Sequence, residues 1–232
     1  MTDTLYDRYV ALNEGFMRLR NLKIIKVAGV YTSTPMISIH AIGFGLPEDS
    51  VLLRDQRLDL LESRYIDPQV WETCYQRYLA APKGVSHTFL FNRTGDRPKA
   101  GGCLLSIVMI REGKGWRAMV TSRAIEATMA MLADIAFVRR CLVRLSDDLG
   151  LALDLERLPV SWHIGIVHQN RVFVPVFFFD VFGAAGLKRW LRRRPRSEWE
   201  LICQEHTVKM MNGDGVTGAR ASWGRRLAKW CA

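Results

Sequence analysis

No uninterrupted apolar run in the sequence approaches the roughly 20 residues that a membrane-spanning helix needs, so none is expected. The opening residues, MTDTLYDRY, are polar and lack the basic-then-apolar order of a secretory leader. The cysteines are few and scattered, at positions 74, 103, 141, 203 and 231, and odd in number. There is no CxxC pair and no Cys/His ligand spacing, which argues against a disulfide framework and a zinc site. The sequence therefore predicts no metal and a reducing, cytoplasmic setting. Internal repeats and low-complexity tracts are also missing. Acidic residues are in short supply: 23 Asp and Glu stand against 33 Lys and Arg, for a net charge of +10. That balance suits an anionic partner, nucleotide or nucleic acid, and it equally suits an ordinary basic protein.

What is present is a chain of 232 residues, 49% of them hydrophobic, enough for one sizeable core. Residues 4–20 place apolar side chains at helical spacing. Residues 23–46 are rich in β-branched and aromatic residues with Gly and Pro breaks, and predict short strands. Residues 51–80 read as helical, broken at Asp67-Pro68. SHTFLFN (86–92) predicts a strand, and RTGDRPKAGG (93–102) a loop. Residues 126–150 form the clearest helix: Met129, Leu132, Ala136, Leu142 and Leu145 trace one face, and Gly150 supplies a stop. PVSWHIGIVH and RVFVPVFFF predict strands, as does 198–210. Residues 186–196 are a basic segment around Trp190. The division expected is a domain over 1–211 and a basic Gly/Arg/Trp tail over 212–232.

Between the loop and the long helix lies GGCLLSIVMIREGKGWRAMVTSRAIE, in which Cys103 and Arg123 each lie ten residues from Gly113. In an antiparallel hairpin, residues equidistant from the turn face each other. A guanidinium beside Cys103 would lower the thiol pKa and sharpen the nucleophile, and it would also bind an anionic substrate. The same pair also reads as a buried inert cysteine beside a strand-end arginine.

This stretch resembles thymidylate synthase and the pyrimidine nucleotide hydroxymethylases. In that family a nucleophilic cysteine opens a strand and an arginine follows twenty positions later, the separation of Cys103 from Arg123. The family's asparagine, eleven residues beyond the arginine in "NIA", is here Asp134 in "DIA". Gly150-Leu151 falls at the family's "GL". Its paired histidines, five apart, correspond to His163 and His168 in SWHIGIVHQN. WELICQEHTVKM is similar to the closing motif in compressed form.

The resemblance implies an α+β fold with a mixed sheet and a long central helix, dimerising through the sheet. It implies Cys103 as nucleophile at C6 of a pyrimidine, Arg123 holding the substrate phosphate, and His163 and His168 at the substrate. Glu126 would stand where an aspartate positions the folate, and methylenetetrahydrofolate would be the one-carbon donor. Glu62 is the candidate catalytic glutamate, by helix position. Asp134 points to cytosine, because an ionised carboxylate accepts from the amino group and a protonated N3 where an amide would read uracil; a polar-surface aspartate is the other reading.

The sequence departs from the family around sugar and phosphate. Gly165 replaces the tyrosine after the first histidine, Ala124 the serine after the arginine, and the partner-reaching arginines are missing before Cys103. A pyrimidine nucleotide, a base within DNA, and a catalytically silent binding protein on the same fold all remain open. For DNA, Arg189, Trp190, Arg192, Arg193 and Arg194 would supply phosphate contacts and base stacking. A solvated surface is the plainer account of the same segment.

Overall fold

The computed structural model describes residues 3–18, 25–27, 31–46, 55–91, 103–128, 130–170 and 174–193. The predicted strand over 198–210, the 93–102 loop and the 211/212 boundary lie outside them.

The elements run α1 (Leu5–Arg18), β1 (Ile25–Val27), β2 (Tyr31–Ile42), α2 (Asp55–Tyr65), α3 (Pro68–Ala80), β3 (Ser86–Leu90), β4 (Leu104–Glu112), β5 (Gly115–Glu126), α4 (Ala130–Leu149), β6 (Pro159–Asn170) and α5 (Val174–Arg192). The strand order is β1-β2-β6-β5-β4-β3. β3, β4 and β5 are antiparallel neighbours, whereas β5 and β6 run parallel. The parallel pair requires a crossover, and α4 provides it. The sheet is therefore mixed and the architecture α+β, as expected.

The chain divides into two compact units, Met1–Ile25 with Ser33–His168, and Lys26–Thr32 with Gln169–Ala232. In the first unit one sheet face carries the core. Ile107 and Met109 of β4, Ala118 and Val120 of β5, and Val160, Trp162 and Ile164 of β6 are buried together with Met131, Ile135, Phe137, Val138 and Leu142 of α4. The opposite positions, among them Ser38, His40, Val108, Met119, Thr121 and His163, are exposed or half-buried.

Local chemistry sets the helix ends. At α3, the Asp67 carboxylate accepts from the Gln69 and Val70 amides at 2.9 and 3.2 Å, and Pro68 occupies the first turn, where no amide is needed. Trp71, Cys74 and Tyr78 then face inward, and the Trp71 indole donates to the Leu90 carbonyl at 2.9 Å. At the end of α4, Gly150 takes φ +62° and the Leu151 amide donates back to the Ser146 carbonyl at 3.0 Å. This six-to-one bond is a Schellman cap, so the Gly150-Leu151 pair ends the long helix.

The second unit contains α5, which kinks at Gly183 (φ 65°, ψ −172°). One reading changes here. The Val/Phe-rich stretch 171–179, expected as a strand, enters a helix at Val174, and residues 186–192 of the basic segment continue that helix. A short apolar run does not by itself separate a strand from a buried helix.

Candidate functional site

β4 and β5 close on the two-residue turn Gly113-Lys114, with Glu112 facing Gly115 and Gly113 at φ +59°. This register continues to Ser106 facing Thr121, and on its own would set Cys103 against Ala124. A slip between Leu104 and Ser106 moves the pairing by one, so Leu104 faces Ser122. The Arg123 amide consequently donates to the Cys103 carbonyl at 2.8 Å. The predicted pairing is present, but a bulge restores it across a turn centred half a residue away.

A second irregularity crosses β5 and β6 on the same rung. Burial alternates through Ala118, Val120 and Ser122, then resumes one place late at Ile125 and Ala127; in β6 it alternates through Val160, Trp162 and Ile164, then resumes at Val167. The slip falls at Arg123-Ala124 and at Gly165-Ile166. A Cβ on Gly165 would lie 2.7 Å from the Arg123 carbonyl oxygen. The strands approach too closely there for any side chain, which accounts for glycine where the resemblance would put tyrosine. The slip also gives His163 and His168 the same standing: five residues apart, they would fall on opposite faces of a regular strand, yet both occupy the less buried set.

Behind the arginine, the Trp162 indole donates to the Ser122 hydroxyl at 2.8 Å, both groups buried. Asp134 lies near the start of α4 and is 2% exposed, so it is not a polar-surface residue. Tyr65, at the end of α2, is 6% exposed and packs its ring on Phe91 and Phe137. A hydrogen bond joins its hydroxyl to the Cys103 backbone. Among the described residues the charges acting on the Cys103 thiol are those of Asp134, Arg123 and Arg64. Cys103, Arg123 and Asp134 thus share one electrostatic neighbourhood, with Tyr65 as a member that sequence reasoning missed. Its only trace in the sequence is its place beside the Asp67-Pro68 break.

The thiol differs from expectation. Burial raises the Cys103 pKa first, the Asp134 charge raises it further, and Arg123 and Arg64 oppose this without prevailing. The arginine acts in the expected direction, and the net shift is upward. Burial, then the charges of Asp134 and Cys103, push the Tyr65 hydroxyl far above the usual phenol range.

The other candidates have different places. Glu62 is ion-paired with Arg144 at 3.0 Å and Arg140 at 3.6 Å, and its charge acts on Cys141. Glu126 receives the Thr128 hydroxyl and the Thr128 and Ala130 amides, which fastens the approach to α4. Next to it, Tyr9 of α1 donates to the Thr128 carbonyl at 2.6 Å, and Asn13 to the Ala127 carbonyl at 2.7 Å. The His168 carbonyl accepts from the Ala127 amide at 2.8 Å. His163 shares a hydrogen bond with Ser38 of β2 through Nδ1, at 2.9 Å.

Arg189 and Arg192 of α5, and Arg193 just after it, are exposed. Trp190 is only 8% exposed and stacks on Phe178 at 5.1 Å, so its ring is turned into its own unit rather than out to a base. Arg194 lies outside the described residues. No group of three or more His, Cys, Asp and Glu suited to a metal occurs among the described residues, and no described helix is long and apolar enough to cross a membrane.

No family model matches the chain, and no curated protein matches it. Among solved structures it is similar to the thermostable thymidylate synthase A from Bacillus subtilis, at 8% identity and a TM-score of 0.48, over 74% of this chain and 82% of that one.

Proposed function

We propose that the protein is a pyrimidine C5-modifying transferase of hydroxymethyl- or methyltransferase type, with Cys103 as nucleophile and a cytosine-leaning nucleotide as substrate. The observation that carries this reading is that the charges of Arg123 on β5 and Asp134 on α4 both act on the thiol of Cys103, the residue before β4. A carboxylate, a guanidinium and a thiol together can serve an anionic ligand that also offers hydrogen-bond donors. In this reading the substrate phosphate pairs with Arg123 and the amino edge of the base donates to Asp134. Burial raises the thiol pKa first and the Asp134 charge adds to it; ligand donors at Asp134 offset that second contribution. The sulfur then adds at C6, and C5 gains nucleophilic character.

The one-carbon donor, methylenetetrahydrofolate, enters from the resemblance. Glu126, its expected contact, is engaged at the start of α4 by Thr128 and Ala130. Those contacts occupy both carboxylate oxygens of Glu126. Glu62, the candidate catalytic glutamate, is paired with Arg144 at 3.0 Å and Arg140 at 3.6 Å.

A second reading has the same chemistry acting on a base within DNA. It is supported by the basic face of α5, where Lys188, Arg189, Arg192 and, just after the helix, Arg193 are exposed while Leu187, Trp190 and Leu191 are buried. A binding protein without catalysis is the third. For self-association we propose a homodimer through the sheet, where half-buried Val108 and Ile110 of β4 and Met119 of β5 would gain cover. A cytoplasmic setting belongs to the same proposal.

The deciding experiment is tritium release from C5-labelled dCMP, dUMP and DNA, with and without methylenetetrahydrofolate. Release from dCMP that disappears in Cys103→Ser supports the leading reading. Release from DNA alone moves the substrate to the polymer. No release from any of the three sinks the enzymatic reading.

A further inference from the structure

On the open sheet face of the first unit, two histidines from neighbouring strands lie side by side. His40 of β2 and His163 of β6 have ring centroids 6.2 Å apart, with planes at 80°. Each is tied by Nδ1 to a serine on the other strand: His163 to Ser38 at 2.9 Å, and His40 to Ser161 at 3.0 Å. The two bonds form a reciprocal pair, Ser-x-His on β2 against Ser-x-His on β6. His40 and Ser38 are exposed, His163 is half-buried and Ser161 is buried.

The arrangement has the attributes of a ligand pair. When Nδ1–H donates to a serine oxygen, the lone pair of the neutral ring is left on Nε2. A metal-binding histidine is ordinarily held in this way, its second nitrogen fixed by a hydrogen bond that sets tautomer and ring direction. Both rings are engaged through Nδ1, so in the tautomer that donates from Nδ1 both keep the Nε2 lone pair for a ligand. Two imidazoles reaching one ion with metal–nitrogen bonds of about 2.0–2.1 Å have centroids roughly 5–6 Å apart. The 6.2 Å spacing is near that, and a small ring rotation closes the difference.

We propose that His40 and His163 form a two-histidine site for a borderline divalent cation of the zinc, nickel or copper class, bound through the two Nε2 atoms with water in the remaining positions. Imidazole donors select that class over magnesium or calcium, which take oxygen ligands. His163 is also one of the two histidines that the resemblance places at the substrate, but the two-histidine pair itself is built from β2 and β6 without Cys103. Sequence spacing gives no hint of it, because the two histidines are 123 positions apart and meet only when β2 and β6 pair.

The test is calorimetric titration of the untagged full chain with Ni²⁺ at pH 7.5. One saturable equivalent per chain is expected, weakened at least tenfold in His40→Ala and in His163→Ala, and weakened less in Ser38→Ala. Absence of saturable binding, or equal binding by the double histidine variant, overturns the proposal. Should a variant unfold, histidine-labelled NMR of the wild type decides instead: Ni²⁺ must broaden two imidazole signals together at the first equivalent, and broadening of none or of one alone overturns it.

Discussion

The Arg123 amide and the Cys103 carbonyl meet at 2.8 Å across a hairpin that is not symmetric about them. The two-residue turn would pair Cys103 with Ala124, and the slip beside Leu105 returns it to Arg123. The bulge therefore decides which side chain stands next to the thiol. Deleting Leu105 should remove the bulge while leaving Leu104 opposite Ser122 and Cys103 opposite Arg123 on a regular ladder, because the bulge is one extra residue on β4. The expected result is a folded hairpin in which Cys103 keeps its partner and its iodoacetamide reaction rate stays close to that of wild type. A large change in thiol kinetics in the folded deletion variant would show that the bulge shapes the thiol's surroundings beyond the pairing it restores.

The balance of charges on the thiol gives a second prediction. Asp134 raises the Cys103 pKa while Arg123 lowers it. Asp134→Asn removes the raising charge and keeps the size, so the alkylation midpoint should move to lower pH and the rate at neutral pH should rise several-fold. Arg123→Gln should move the midpoint the other way. An Asn variant with an unmoved or higher midpoint would refute the coupling, whatever the natural substrate proves to be.

Gly165 offers a test of the strand kink. With its Cβ position 2.7 Å from the Arg123 carbonyl, Gly165→Ala forces backbone to shift where the two strands approach most closely. Overpacking of this kind costs about 1–3 kcal/mol. The urea midpoint should fall accordingly, and Cys103 reactivity should change with it because Arg123 shares the rung. A neutral effect on both would mean that the strands separate there at little cost.

The parts of this fold legible in sequence were those governed by neighbours in the chain. The Gly113-Lys114 turn, the helix stop at Gly150 and the Asp67-Pro68 break rest on local backbone chemistry, and all three stand in the structure. The pairing of Cys103 with Arg123 was also readable, since a hairpin converts sequence distance into spatial distance, whereas Asp134 entered through the resemblance. Tyr65 had no such link: it reaches Cys103 through the packing of α2, and nothing in its own segment marks it. The direction of the thiol shift was hidden for the same reason, because burial outweighs the arginine and burial is a property of the assembled core. The Val/Phe run before α5 misled because β-branched and aromatic residues suit a strand as well as a buried helix. Trp190 read as a basic-segment aromatic available to a base, yet it stacks on Phe178, twelve residues earlier, across the kink at Gly183.

Alkaline stability should report the buried site directly. Burial raises the Cys103 thiol and the Tyr65 hydroxyl, so the folded state keeps both protons to higher pH than the unfolded chain does. An unfolded thiol ionises near pH 8.5 and an unfolded phenol near pH 10. Below those values both states are protonated and the stabilisation is complete. As pH rises through them the unfolded state sheds protons first, and folding stability declines. Cys141 and Tyr75 are shifted the same way, the first by burial and the Glu62 charge, the second by burial and the Asp148 hydrogen bond. The denaturation midpoint should therefore hold steady around neutrality and decline above about pH 9. Tyr65→Phe removes one contributor, so its curve should fall less steeply than wild type beyond pH 10, even if it starts lower for loss of the bond to the Cys103 backbone. Parallel wild-type and Tyr65→Phe curves through that range would mean that the Tyr65 hydroxyl titrates in the folded protein as it does in the unfolded chain, and would remove it from the group around Cys103.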